Sequence, residues 1–540
     1  MKTKYITLSS VPSVLNTLAA FATLASLTAC GDDFLTEEPA SSVVIDGYYE
    51  SNSRILESAI AAYDPMQWFD YFDGWAPLSL TWDCLADDIY VGGGSTSDQG
   101  QLHLISQYRS DASNNISGLW TACYSGINRS IRLIDNAEAS SLISEEQRKG
   151  YVAEGLALRS WYYSVLWKTW GNVPYYEENL SEPYLAKQLT ADEIYQKIAA
   201  DLEQVLEMNV LPMRQAAGLE GRMTQAAVAM TYADVVMLQA DQSRYAKALK
   251  YMEDIIGSTQ YDLVSAQELW DVTNEWNDEI IMDINYVAAG GKRGWGDAQA
   301  SGGTVLPAMI GIDGFTSDEP SPEFQGGWGF CTVSKEVYDD YEATDLRRDQ
   351  GILNMDAYIK DKAAQGYTVS YGGRYQNTGY FLRKYLPRPG GNSGCAGDAD
   401  LNWDYNLHIY RFAETLLNAA ELAQQTGDAT KAQTYYDRVR TRAGVPSREA
   451  SIDNILDERR LEFVGEGKRY FDLVRSGKAA QTLTAGGGKL LQDKETMTWG
   501  GQAIPERATW TPTKRYLQIP QGEIEATASK GEFTIVQNPK

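Results

Sequence analysis

Two tryptophans of this chain stand between glycines, Trp295 in Arg-Gly-Trp-Gly-Asp and Trp328 in Gly-Gly-Trp-Gly-Phe. A third cluster of rings crowds the irregular stretch 64–100, with Trp68, Phe69, Tyr71, Phe72, Trp75 and Trp82 in quick succession. A flat indole can lie against the apolar C–H face of a sugar while neighbouring Asp, Asn and Arg groups bond its hydroxyls. On that chemistry Trp75, Trp82, Asp88, Tyr90, Arg293, Trp295 and Trp328 are the candidate ligand-binding residues, with Asn392 as a further polar partner. Trp68, Phe69 and Phe72 read instead as core against the first helices. For Trp295 and Trp328 both roles stay open, because large apolar side chains are mostly buried, yet a loop with glycine on either side gives an indole little to pack against.

Other chemistries find no support in the residue pattern. Gly92-Gly93-Gly94-Ser95 has no lysine, and Gly290-Gly291-Lys292 has no following Ser or Thr on a helix, so neither is a phosphate loop. There is no Gly-x-Ser-x-Gly elbow, no His-Glu-x-x-His pair and no Asp-x-Asp-x-Asp-Gly loop. Adjacent carboxylates such as Asp87-Asp88 and Asp318-Glu319 are expected by chance among 73 acidic residues. The two histidines, His103 and His408, have apolar neighbours and read as packed or surface rings. Cys84, Cys123, Cys331 and Cys395 are too scattered for a zinc site, and their pairing is not fixed by spacing. Cofactors, metals and catalytic residues are therefore not expected. The net charge of −26 argues against nucleic acid and against an anionic membrane surface as partners, and favours a neutral ligand.

Something must hold such loops, and the periodicity supplies helices. Apolar residues recur at helical spacing over Trp120–Ala139, Glu145–Trp170, Asp192–Met208, Met223–Ala240 and Tyr245–Ile256. The pattern resumes over Asn406–Gly427, with Tyr410, Ala413, Leu417 and Ala420 on one face. Asp428 then caps a helix striped by Ala432, Tyr436, Val439 and Ala443 and ended by Gly444. These hairpins have the small-then-aromatic spacing of tetratricopeptide repeats, which bury their faces only by stacking. A charged third helix follows from Ser451 to about Gly465, in which Asp457–Arg460 and Arg459–Glu462 are expected to pair as helical neighbours. Between the two helical blocks, from about Gly257 to Tyr405, the period fails and glycines cluster, as in functional loops. The fold class expected is mainly α: a tetratricopeptide-like scaffold over about 45–256 and 406–478, with insertions at about 64–100 and 257–405 and a few short strands.

At the N-terminus, Lys2 and Lys4 precede an apolar stretch that ends in Leu27-Thr28-Ala29-Cys30, a secretory signal with a lipobox. Residues 1–29 are expected to be removed and Cys30 to be acylated, since two acyl chains suffice for stable anchoring. No other segment is apolar enough to span a membrane.

The segments YRFAETLLNAAE and YYDRVRTRAG, then ILDERRLEFVGEGKRYFDLVRSGK, then YLQIPQGEIEAT and the closing QNP resemble, in that order, the C-terminal signatures of the SusD/RagB family. CGDDFLTEEP at Cys30–Pro39 adds a match at the other end, and its Asp32-Asp33 resembles the tag that exports such lipoproteins to the cell exterior. The resemblance implies one SusD-like domain over 30–540, lipid-anchored in the outer membrane and facing outward. It further implies capture of oligosaccharides for a SusC-like TonB-dependent transporter, without enzymatic activity. Peptide capture, known in one branch of the family, is the alternative; a surface glycoside hydrolase is a third reading.

Overall fold

The computed structural model describes residues 48–70, 78–297, 299–484, 491–492, 499–502 and 507–539. Cys30, Tyr71, Phe72 and Trp75 lie outside them. Glu50–Lys540 forms one compact unit.

Ten helices carry its frame: α1 (Asn52–Tyr63), α2 (Ser117–Ala139), α3 (Glu145–Trp170), α4 (Ala191–Met208), α5 (Gln225–Gln239), α6 (Tyr245–Gly257), α7 (Phe412–Gln425), α8 (Ala429–Ala443), α9 (Ile452–Glu462) and α10 (Arg469–Arg475). Each from α1 to α7 packs on the next, α9 packs on α7, and α7 meets α6 although the whole loop-rich insertion lies between them. Stacked antiparallel pairs of this kind bury a continuous core.

Local sequence sets the boundaries. Ser144 with Gln147, and Thr190 with Glu193, form capping boxes that open α3 and α4. Asp428 accepts from the Lys431 amide to open α8, and Gly444 closes it at φ 75°, a left-handed conformation that suits glycine. α3 is buried on all sides over its last two-thirds, including Trp161, Trp167 and Trp170. It can sit this deep because α2 approaches it at Gly126, where a Cβ would lie 2.2 Å from the Tyr162 ring. Trp68 and Phe69 are core, as their neighbours predict, and Phe69 stacks on Trp161 at 5.4 Å.

Two expectations need correction. Leu407–Arg411 is not the first turn of a helix but a strand, β4, antiparallel to β1 (Ile280–Ile284), while β2 (Ile352–Asn354) pairs with β3 (Tyr380–Leu382). The alternation of side chains in β4 overlaps the helical stripe at Tyr410, and its partner lies too far off in sequence for local periodicity to register it. In α9, the neighbouring pairs Asp457–Arg460 and Arg459–Glu462 do not form. Arg459 instead reaches Asp472 at 2.9 Å and Asn418 at 2.6 Å, Arg460 reaches Asp88 and Asp340, and Glu462 is held by Arg347, Arg411 and Arg442.

These contacts belong to a buried ionic core beneath α9. Arg411 bonds Glu279 at 2.7 Å, Glu462 at 2.5 Å and Glu466 at 2.7 Å, and Lys384 bonds Glu466 at 2.6 Å. Burial pushes the Glu466 carboxyl up, but Arg411 and Lys384 outweigh it and hold the group at about 2. The thiols of Cys84 and Cys331 are buried with their sulfurs 4.0 Å apart.

Candidate functional site

The insertion between α6 and β4 brings Trp295 and Trp328 together. Trp295 occupies the turn Gly294–Asp297, whose ends exchange backbone hydrogen bonds at 3.3 and 3.0 Å. The turn is fastened from below by Asn402, fully buried, whose side chain donates to the Arg293 carbonyl at 2.8 Å and the Asp398 carbonyl at 2.7 Å. Gly302 and Gly303 allow this approach: a Cβ on Gly302 would fall 2.2 Å from Asn402 Oδ1, and one on Gly303 2.4 Å from the Trp403 nitrogen. Trp328 is held by its backbone, donating to the Ala308 carbonyl at 2.8 Å and accepting from Arg374 Nη1 at 2.7 Å.

The two indoles are offset-stacked, with centroids 5.9 Å apart and planes 27° apart. Trp295 keeps 53% of its surface exposed. Leaving so large a ring in water is costly unless something binds it, at about 25 cal/mol per Å² of apolar surface. Both ring edges are fixed by one short turn. Trp295 Nε1 donates to Asp398 Oδ2 at 2.6 Å, and the Trp328 side chain bonds the Asp400 carboxyl. Asp398 also caps that turn, accepting from the Asp400 amide at 3.0 Å, and Asn392 Nδ2 donates to the Ala399 carbonyl at 3.1 Å. Partial desolvation of its carboxyl by neighbouring groups and the Asp398 charge push Asp400 up, and the Trp328 bond pulls it back.

Arg374 joins the platform to the glycine run at 92–94. Its guanidinium lies 3.7 Å from Asp313 and 4.0 Å from Asp98, whose Oδ2 accepts from the Gly94 amide at 2.7 Å. The glycine run is tied to the segment beside Trp328, with the Gly93 amide donating to the Gly329 carbonyl at 3.0 Å.

The remaining candidate residues do not join this group. Asp88 is buried and gripped by Arg460 at 2.7 and 2.9 Å; burial and Asp87 push its carboxyl up while Arg460 draws it down. Arg293 has no exposed surface; Nη2 donates to the Gln67 carbonyl at 2.6 Å and the guanidinium lies over the Tyr286 ring. Tyr90 is buried, with its backbone bonded to Thr332. Trp82 sits edge-on to Phe471 at 4.9 Å, under Lys168. Asp88, Arg293 and Tyr90 thus lie inside the protein and Trp82 is half-buried against Phe471, apart from the Trp295–Trp328 pair; the carboxylate of Asp88 and Nη2 of Arg293 are spent on partners within the protein. His103 and His408 are both buried, the latter 2.8 Å from Asp283.

Asp398, Asp400, Arg374 and Asn402 escaped the sequence reading. Asp398 to Trp403, Asp-Ala-Asp-Leu-Asn-Trp, contains a capping aspartate before a short turn, but nothing local reveals that Trp295, a hundred residues earlier, bonds to it. Among the described residues, no group of three or more His, Cys, Asp or Glu could hold a metal ion, and no helix is long and apolar enough to cross a membrane.

Comparison with known proteins gives concordant results. Residues 278–540 match the model of the SusD family, and residues 81–237 match a second model described as starch-binding, associating with outer membrane. Surface glycan-binding protein A from Bacteroides thetaiotaomicron, solved in complex with laminarihexaose, is 42% identical; the match covers 90% of this chain and 99% of that one, with a TM-score of 0.80. A laminarin-binding SusD-like protein is 29% identical, over 91% of this chain and all of the other, with a TM-score of 0.78. SusD-like protein P2 from Formosa agariphila is 24% identical over 84% of this chain and 88% of its own length.

Proposed function

This chain belongs to the SusD family, and on that premise we propose that it is a surface glycan-binding protein that captures a laminarin-type neutral glucan on the Trp295–Trp328 platform. The observation that carries the reading is an exposed indole, held by a carboxylate at its edge and stacked on a second indole. An aromatic face fixed before the ligand arrives loses little entropy on binding. Asp398, Asp400 and Arg374 hold the rings, and ligand hydroxyls find the remaining lone pairs and N–H groups of the same side chains. The likeness to proteins that bind laminarihexaose and laminarin supports this choice of glycan.

The rest of the proposal follows the family. The chain acts by binding and carries no catalytic centre; it is anchored in the outer membrane through acylated Cys30, and passes its ligand to a SusC-like TonB-dependent transporter.

Isothermal titration with laminarin tests the site. Trp295→Ala and Trp328→Ala should each leave the melting temperature nearly unchanged, while at least one weakens binding tenfold or more, about 1.4 kcal/mol. Full laminarin binding by both variants would overturn the platform. Release of reducing ends from a glycan panel would overturn the purely binding role.

A further inference from the structure

On the reading of the two indoles as a sugar platform, we infer that Asp398 and Asp400 are specificity-determining residues: the carboxylates that clamp the indole edges also make the platform reject polyanionic glycans. Both carboxylates stand on the single turn around Ala399–Leu401, Asp398 half-buried and Asp400 exposed, each in hydrogen-bond contact with one ring of the pair. A glycan resting on those rings comes within a few ångströms of both charges. A hydroxyl tolerates them and can donate to them. A sulfate or uronate at the same place meets like charge with no donor to offer.

The rest of the site does not offset this. Its loops contribute Asp98, Asp297 and Asp313 as further carboxylates, all at least partly exposed. Against them stand Lys292 and Arg374, with Arg293 wholly buried on the Gln67 carbonyl. Arg374 is itself engaged, by the Trp328 carbonyl and by Asp313 and Asp98. Nearby like charges therefore exceed opposite ones, and the net charge of −26 adds a long-range field of the same sign. A neutral clamp would have been available: an asparagine carbonyl also accepts from an indole N–H. Two carboxylates add only strength to the clamp and a charge beside the ligand.

The test compares laminarin with sulfated laminarin by titration, using wild type and the double variant Asp398→Asn, Asp400→Asn, at low and high salt. Wild type at low salt should bind the sulfated chain at least tenfold more weakly than the neutral one. The ratio should shrink as salt rises, since the Debye length falls from about 10 Å at 0.1 M to about 3 Å at 1 M. In the variant the low-salt ratio should fall at least tenfold, carried by tighter binding of the sulfated chain. A wild-type ratio that ignores salt, or a variant that binds laminarin and keeps the wild-type ratio, would overturn the inference while leaving the platform intact. Absence of laminarin binding by wild type would instead overturn the platform reading, and the inference with it. Should the variant fail to fold, the salt dependence of the wild-type ratio decides alone.

Discussion

Glu275 shows how one side chain can be left at odds with its surroundings. It lies beside the His408–Asp283 pair; burial first, then the charges of Asp404 and Asp283, push its carboxyl up to about 7, against the Asn406 amide and His408. The folded chain therefore keeps a proton on Glu275 over a pH range in which the unfolded chain, with an ordinary value near 4.5, has released it. Stability from this site is full below about pH 4.5, falls as pH rises toward 7 and is lost above it. Glu275→Gln, which mimics the protonated form, should raise the melting temperature at pH 8 by about 1–2 °C and change little at pH 5. Equal shifts at both values in a thermal melt would mean that Glu275 is already ionised at low pH. Neither this residue nor Asp398 stood out in the sequence, because the charge that acts most on Glu275, that of Asp404, and the indole bonded to Asp398, that of Trp295, are each over a hundred residues away. Trp295 and Trp328 did stand out, since flanking glycine is a local feature.

At the scale of elements, the sequence was most legible where an element is closed by its own residues. Glu145–Trp170 has the bounds its helical spacing foretells, and Asp428 and Gly444 frame α8 as expected. It was least legible where stability comes from across the fold. α9 has a helical stripe, yet its buried face includes Glu458, Arg459 and Glu462 beside Ile455 and Leu456. A charged buried face is tolerated only when every charge finds a partner, and those partners come from α7, α8, α10 and the insertion. Arg459→Ala would leave Asp472 and Glu414 facing one opposite charge fewer each, with Arg475 and Lys468 as their remaining partners. The expected loss is about 3–5 kcal/mol, read by denaturant unfolding, with laminarin affinity of the folded fraction within a few-fold of wild type. Unchanged stability with lost binding would move α9 from the frame into the site.

For the whole molecule, the same ionic core decides whether the insertion behaves as a part of the frame or as a passenger. Glu279, Arg347 and Lys384 come from the insertion, while Arg411, Arg442, Glu462 and Glu466 come from β4, α8, α9 and the turn after it. β1 is paired with β4, and α6 packs on α7 across the base of the insertion. Opening the insertion alone would strand these buried charges, whose loss of partners costs several kcal/mol each, so its unfolding should draw the repeats with it. Far-UV circular dichroism, which reports the helices, and tryptophan fluorescence, to which Trp295 and Trp328 contribute, should then trace one coincident transition in denaturant. Laminarin at a hundred times its Kd should shift both traces together, by the roughly 2.7 kcal/mol that mass action gives to the folded state. A fluorescence transition that precedes the loss of helix, and alone responds to laminarin, would show that the platform stands on a separately folding unit.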